Sequence, residues 1–213
     1  MTHIYAFGSL CRGDVTRTSD VDLLAIVDGY DERFEPEMFS IYSYSRLREI
    51  WAEGNPFAWH LSLESKLLHA SDETDFINAL GRPNAYAKCR QDCEKFADLI
   101  CQAEESLAGG NASIVFDLSA IFLGIRNFAT CFSLAILQRP DFSRHSALKL
   151  GPKQLEIAPD AYATLEAARI LCTRGTGECL TTERVDLTKG EIPRIRAWTK
   201  RLLEEIDERE AGI

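Results

Sequence analysis

The feature that most constrains this chain is residues 4–28, IYAFGSLCRGDVTRTSDVDLLAIVD. Ile4, Tyr5, Ala6 and Phe7 make a β-prone apolar start. Gly8-Ser9 follows, then a polar connection with Arg12 and Gly13. Ser19-Asp20-Val21-Asp22 then leads into Leu23-Leu24-Ala25-Ile26-Val27, an apolar run that reads as a buried strand with two carboxylates in its first half. Side chains two apart on a strand point the same way, so Asp20 and Asp22 are expected on one face and Val21 and Leu23 on the other. Adjacent like charges repel and lose solvation, which is tolerable when a cation lies between them. Mg²⁺ prefers one or two protein carboxylates plus substrate phosphates. The plain alternative for an isolated D-x-D is a turn cap at Asp20 and a solvated edge residue at Asp22. Here the pair follows Gly8, which permits close backbone approach, and Ser9, whose hydroxyl can start a short helix with anion-facing N–H groups. A phosphate-holding turn beside a metal-holding strand is what a nucleoside triphosphate requires.

Gly8-Ser9, ten intervening residues and Asp20-Val21-Asp22 inside apolar flanks resemble the signature of the DNA polymerase β-type nucleotidyltransferases. The fuller strings GSLCRGD and SDVDLL are similar to the bacterial minimal and aminoglycoside-type members. By that resemblance, Asp20 and Asp22 would be catalytic metal ligands, and Gly8 and Ser9 would cradle the β- and γ-phosphates. Such enzymes also carry a third carboxylate on a neighbouring strand, often the base for the acceptor hydroxyl. The expected strand here is residues 38–42, and its central position is Ser40, a departure from the pattern. Glu37 just before the strand is the best substitute and Glu64 the second.

Composition bounds the rest. The 213 residues suffice for one large or two small domains with a sizeable core, and 27% charged with 46% hydrophobic residues is ordinary for a globular protein. The formal charge of −9 is unevenly shared: residues 1–82 hold 7 Lys+Arg and 14 Asp+Glu, a net of −7. No basic tract offers a nucleic-acid channel, so a polymerase is disfavoured and nucleic acid is not expected as a partner. The acidic first half favours metal ions and a cationic acceptor. The start, MTHIYAFGS, does not read as a signal peptide. The apolar tract at 113–137 contains Asp117, Arg126 and Asn127 and reads as a buried core helix instead of a membrane span. Seven cysteines in mostly apolar helical contexts read as reduced thiols, which gives a cytoplasmic expectation. Cys89 and Cys93 are read as core packing, since a zinc site needs further ligands.

Along the chain, residues 38–42 and 66–70 read as a third and a fourth strand. Helices are expected from a Ser45 cap and from Pro56. The order strand-helix-strand-strand-helix-helix-strand gives a small mixed sheet with helices on one face. Gly81-Arg82-Pro83-Asn84 marks a domain boundary. The fold class is therefore α+β, with a nucleotidyltransferase domain at 1–82 and an α-helical bundle at 83–213. The bundle is expected to hold helices at 85–108, 112–138, 160–172 and 192–208. It resembles the substrate-binding helical domains fused to such transferases and, more weakly, the HEPN bundles that pair with them. Active HEPN ribonucleases carry an Arg with a His a few residues on, along one helix. Arg126 has Cys131 in that window, and Arg139 and His145 are separated by Pro140, so ribonuclease activity is not expected. His60, in the string His60-Leu61-Ser62-Leu63-Glu64, reads as a core or helix-surface histidine.

The resulting expectation is Mg²⁺-dependent transfer of a nucleoside monophosphate from an NTP to a hydroxyl of a small molecule or protein. Catalytic candidates are Asp20, Asp22 and Glu37, with the metal on Asp20 and Asp22. Nucleotide-binding candidates are Gly8, Ser9, Arg12, Ser19 and Lys149. Arg12 suits a phosphate contact or a surface ion pair. Lys149 and Lys153 read as reaching the triphosphate from the bundle or as solvated. Arg126 and Asn127 read as making a structural ion pair with a neighbouring helix or as a wall of the acceptor cleft. The chain is compatible with a homodimer. The alternative is a catalytically weak nucleotide-binding or regulatory, antitoxin-like module.

Overall fold

A computed structural model describes residues 1–15, 21–110 and 113–212. The chain divides into two compact units, Met1–Ala87 and Lys88–Ile213. The fold is α+β: a small mixed sheet, then helices.

The first unit runs β1 (Thr2–Phe7), α1 (Ser9–Arg12), β2 (Asp22–Val27), β3 (Phe39–Ser43), α2 (Tyr44–Ala52), α3 (Pro56–Glu64), β4 (Ser65–Ala70) and α4 (Phe76–Leu80). This is the expected element order. The sheet order is β3-β2-β1-β4. β1 pairs antiparallel with β2 and β4, while β2 and β3 are parallel. The register sets Phe7 against Asp22, Tyr5 against Leu24 and His3 against Ile26. Opposed residues in such a ladder share a face. Tyr5, Phe7, Leu24 and Ile26 accordingly form one core with Leu47, Ile50, Trp51, Ala58 and Leu61 of α2 and α3. Ala25, Val27, Phe34, Ile4 and Phe39 form a smaller cluster on the other face. Asp22 thus stands at the open end of the helix-covered face.

Two boundaries differ from expectation. The cap of α2 is Ser43, which accepts the Arg46 N–H at 3.1 Å, and not Ser45. Ser43 ends β3, so its extended backbone already has the geometry of an N-cap. The first unit also runs past Arg82. Trp51 Nε1 donates to the Gly81 carbonyl at 2.9 Å, and Trp59 Nε1 donates to the Asn84 carbonyl at 3.1 Å. Asn84 Nδ2 donates to the Ala52 carbonyl at 2.7 Å. Gly54, at φ +64°, admits this segment, since a Cβ there would lie 2.4 Å from the Ala85 carbonyl oxygen. Two indoles and one amide fasten the Pro-containing stretch to the sheet unit.

The second unit contains α5 (Cys89–Ala108), α6 (Ile114–Ala135), two short 3-10 turns (Ser146–Lys149 and Gly151–Lys153), α7 (Pro159–Arg174) and α8 (Thr182–Glu210). α6 lies between α5 and α7, and α8 packs on both of those helices. Leu118, Ile121, Phe122, Ile125, Phe128 and Phe132 of α6 are buried. α6 is long and apolar enough to cross a membrane by length and composition, and 56% of that window is buried inside the structure. α8 begins ten residues before the expected start. Gly190 and Pro193 look like a helix start in sequence, yet Val185, Thr188, Ile192, Ile195, Thr199, Leu202 and Ile206 bury one continuous stripe at alternating spacings of three and four. The apolar stripe carries the helix through the proline.

Candidate active site

The site is built on the corner where β1 ends. Gly8 adopts φ +72° and ψ −137°, a conformation open almost only to glycine. Its N–H donates to the Glu64 carbonyl at 3.1 Å, and its own carbonyl accepts from Cys11 and Arg12 at 3.1 and 3.2 Å. The chain thereby turns directly into α1. The N–H groups of Ser9 and Leu10 precede the first of these bonds, at the end of the helix where a partial positive charge gathers. A Cβ at Gly8 would lie 2.6 Å from Asp22 Oδ2. The glycine is therefore needed twice, for the turn and for the carboxylate that lies against it. Asp22 is exposed, on the first residue of β2.

On the other side of β1 lies a charged cluster. Arg12 Nη1 is ion-paired with Glu64 Oε2, and Arg12 Nε contacts Asp14 Oδ2 at 3.2 Å. His60 Nε2 lies 3.0 Å from the same Glu64 oxygen. The His60 ring packs edge-on to Phe7 at 5.6 Å between centroids. Arg12 and Glu64 are largely buried, at 19% and 15% side-chain exposure, so their pairing is sheltered from solvent screening. The nearby Cys11 thiol is pushed up by burial, offset in part by Lys66.

The expected residues divide as follows. Gly8, Ser9, Asp22, Arg12 and Glu64 come together at this corner. Ser19 and Asp20 lie outside the described residues. β2 starts only at Asp22, so a common strand face is described for Asp22 alone. Glu37 is exposed in the turn before β3, where Met38 and Phe39 N–H groups return to the Glu35 carbonyl at 2.9 Å. The β2–β3 register instead puts Ser40 beside Leu24, on the face that carries Asp22. Lys149 belongs to the second unit, where Nζ donates to Ser143 Oγ at 3.2 Å and lies 3.5 Å from Asp141 Oδ2. Asp141 is held low: burial raises it, but hydrogen bonds from Ser143 and the Lys149 charge outweigh burial. Lys153 pairs with Glu205. Arg126 donates to the Phe142 carbonyl at 3.1 Å, which ties the 140s segment to α6. Arg139 and His145 both lie beyond the end of α6 and share no helix.

Among the described residues, no group of three or more His, Cys, Asp or Glu is arranged to hold a metal ion. A hard divalent cation with one or two carboxylates and substrate phosphates needs no such group, and the Asp22 carboxylate at the mouth of the Gly8 turn suits that donor set. His60, which the sequence reads as a core or helix-surface histidine, stands beside Glu64. The signal was its i, i+4 spacing to Glu64 on α3, which puts both on one helix face.

The model of the nucleotidyltransferase domain matches residues 2–80, from β1 to α4 of the sheet unit. The match supports, for this stretch, the resemblance to the polymerase β-type superfamily. The Gly8 turn and the Asp22 strand both lie within the matched residues. No curated protein and no solved structure matches the chain.

Proposed function

We propose that this nucleotidyltransferase domain moves a nucleoside monophosphate from an NTP to a hydroxyl on a small molecule or protein, with Mg²⁺ held by Asp20 and Asp22. The observation that carries the reading is the contact at Gly8: a carboxylate lies directly against the turn whose N–H groups suit a phosphate. Mg²⁺, when bound there, would neutralise triphosphate charge and polarise the phosphorus under attack. Ser9 and the N–H groups of Ser9 and Leu10 would hold the β- and γ-phosphates, and Ser19 is kept as a further nucleotide-binding candidate. Arg12, fixed by Glu64, would add a charge-assisted contact without having to be ordered on binding. The acceptor oxygen would bond to the α-phosphorus as the α–β bridging bond breaks and pyrophosphate leaves. Glu37 is the candidate to take the hydroxyl proton, because Glu64 is engaged by Arg12 and His60.

Ser40 supports a second reading. It occupies the strand position beside Leu24 on the Asp22 face, where a third acid would sit. A chain that binds nucleotide and turns over weakly, as a regulatory or antitoxin-like module, fits that side chain. Asp22→Asn and Asp20→Ala decide between them. Each is expected to lower pyrophosphate release at least about 100-fold if the carboxylates act in transfer. Unchanged release in either variant would remove that residue from the metal site. Metal-dependent NTP binding with no release in the parent chain would favour the module.

A further inference from the structure

The sheet unit carries two acids for every base, and its described cations are almost all accounted for. Arg12 pairs with Glu64, Arg33 with Asp31 and Arg46 with Glu49. Arg48 lies over the Phe76 ring and Arg82 over the Trp59 ring, each 5.0 Å from the centroid. Lys66 is the exception. It is exposed, and among the described residues it makes no ion pair, no side-chain hydrogen bond and no ring contact.

Its place in the sheet brings it to the Gly8 turn. Lys66 stands opposite Ala6 in the β1–β4 ladder, and Ser65 stands opposite Phe7. Two residues before Lys66 in the chain, the Glu64 carbonyl holds the Gly8 N–H at 3.1 Å. Cys11 of α1 donates through Sγ to the Ala6 carbonyl at 3.3 Å, so α1 folds back against this same pair. The Lys66 charge is felt at that thiol, where it offsets part of the effect of burial. Lys66 leaves the sheet on the Ala6 face, opposite to the face of Phe7 and Asp22. The turn lies at the end of β1, on the rim that the two faces share. Asp22 thus approaches it from one face and the Lys66 stem from the other, and a lysine stem is long enough to carry its ammonium to a rim.

The turn lacks positive charge of its own. Asp14, Asp22 and Glu64 stand around it against the single guanidinium of Arg12, which Glu64 and Asp14 both engage. A triphosphate brings further negative charge, and Mg²⁺ at Asp22 would offset it at one end. We propose that Lys66 is a triphosphate-binding residue: its ammonium receives the terminal phosphate of an NTP whose α-phosphate lies on the Asp22 side of the turn. The inference rests on the transfer reading of the Gly8 corner. Bound in this way, the phosphates cross the N–H groups of Ser9 and Leu10 from one sheet face towards the other. Lys66 contributes to the affinity and orientation of the NTP, and the reacting α-phosphorus stays with Asp22.

The test is calorimetric titration of the full chain with Mg²⁺ and inorganic tripolyphosphate, and in a second arm with Mg²⁺ and each NTP. Lys66→Met is expected to weaken the binding of both about tenfold, the loss of one charge-assisted bond. Lys66→Arg, which keeps the charge, should bind within about threefold of the parent. Arg48→Gln removes an equal charge from α2, over Phe76, and should bind as the parent does. A parent chain that binds neither tripolyphosphate nor any NTP overturns the transfer reading and this inference together. A parent that binds either of them, with equal affinity in Lys66→Met, overturns the inference alone. So does an equal loss in Arg48→Gln, which would make the effect one of overall charge, or a loss in Lys66→Arg as deep as in Lys66→Met.

Discussion

The Gly8 corner and the α6 helix are held in place by opposite means. At the corner, few atoms carry the structure. One glycine dihedral, one backbone bond to Glu64 and one carboxylate packed against a missing Cβ decide the geometry. In α6, fourteen residues are buried, and apart from Gly124, where a Cβ would lie 2.6 Å from Ile100 Cγ1, they hold by bulk; Phe128 meets Trp198 at 5.2 Å and Phe122 meets Tyr162 at 5.8 Å. Directional constraints of the first sort restrict which residue types fit, whereas burial accepts many apolar sequences of similar volume. The corner can therefore be read from a string of letters, and a packed bundle much less so.

The comparison can be broken hardest from the helical side. Phe128→Ala is expected to destabilise the second unit by about 3–5 kcal/mol through lost transfer energy and a cavity, read as a lower urea midpoint. A loss under about 1 kcal/mol would mean that the α5–α6–α7 core collapses around the gap. On the corner side, Gly8→Ala should cost about 1–3 kcal/mol from the backbone conformation alone, before the encounter with Asp22. Combining Gly8→Ala with Asp22→Ala sharpens this, because it removes the steric conflict and leaves the dihedral cost. If the double variant is no more stable than Gly8→Ala, the carboxylate contact contributes nothing. Arg12→Ala should cost about 1 kcal/mol by thermal unfolding, since one charge-assisted pair is lost and Glu64 keeps His60.

The smallest effect concerns pH, and it resides in the helical unit. Glu166 is held below its ordinary value of 4.5, first by the hydrogen bond from His145 and against the cost of burial. His145 is raised above its ordinary 6.5, first by the same bond. Stability from the lowered acid is present above 4.5 and is lost as pH falls through the native Glu166 value. Stability from the raised histidine is present below 6.5 and is lost as pH rises through the native His145 value. The pair is therefore at full strength between about 4.5 and 6.5. Glu166→Gln should flatten the melting temperature over pH 6–8 by a degree or two at most, as half of the His145 side chain is exposed.

What was legible follows the same division. The element order of the sheet unit, the Pro56 helix start and the Gly8 turn came from residues whose backbone options are few. Helix ends were harder, as Ser43 and Ser45 are chemically equivalent caps and only the extent of β3 chooses between them. α8 was truncated because Gly190 and Pro193 are strong local signals, while the buried stripe that overrides them is spread over six turns. Within the site, the alternative readings of Arg12 turned on a partner 52 positions away. No periodicity reports that distance.

The most direct test of the Gly8–Asp22 account is calorimetric titration of the chain with each of the four NTPs, with and without Mg²⁺. The account expects one NTP at least to bind with Mg²⁺, to bind about tenfold or more weakly without it, and to lose that dependence in Asp22→Asn. Binding of no NTP, or binding that ignores both Mg²⁺ and Asp22, would contradict it.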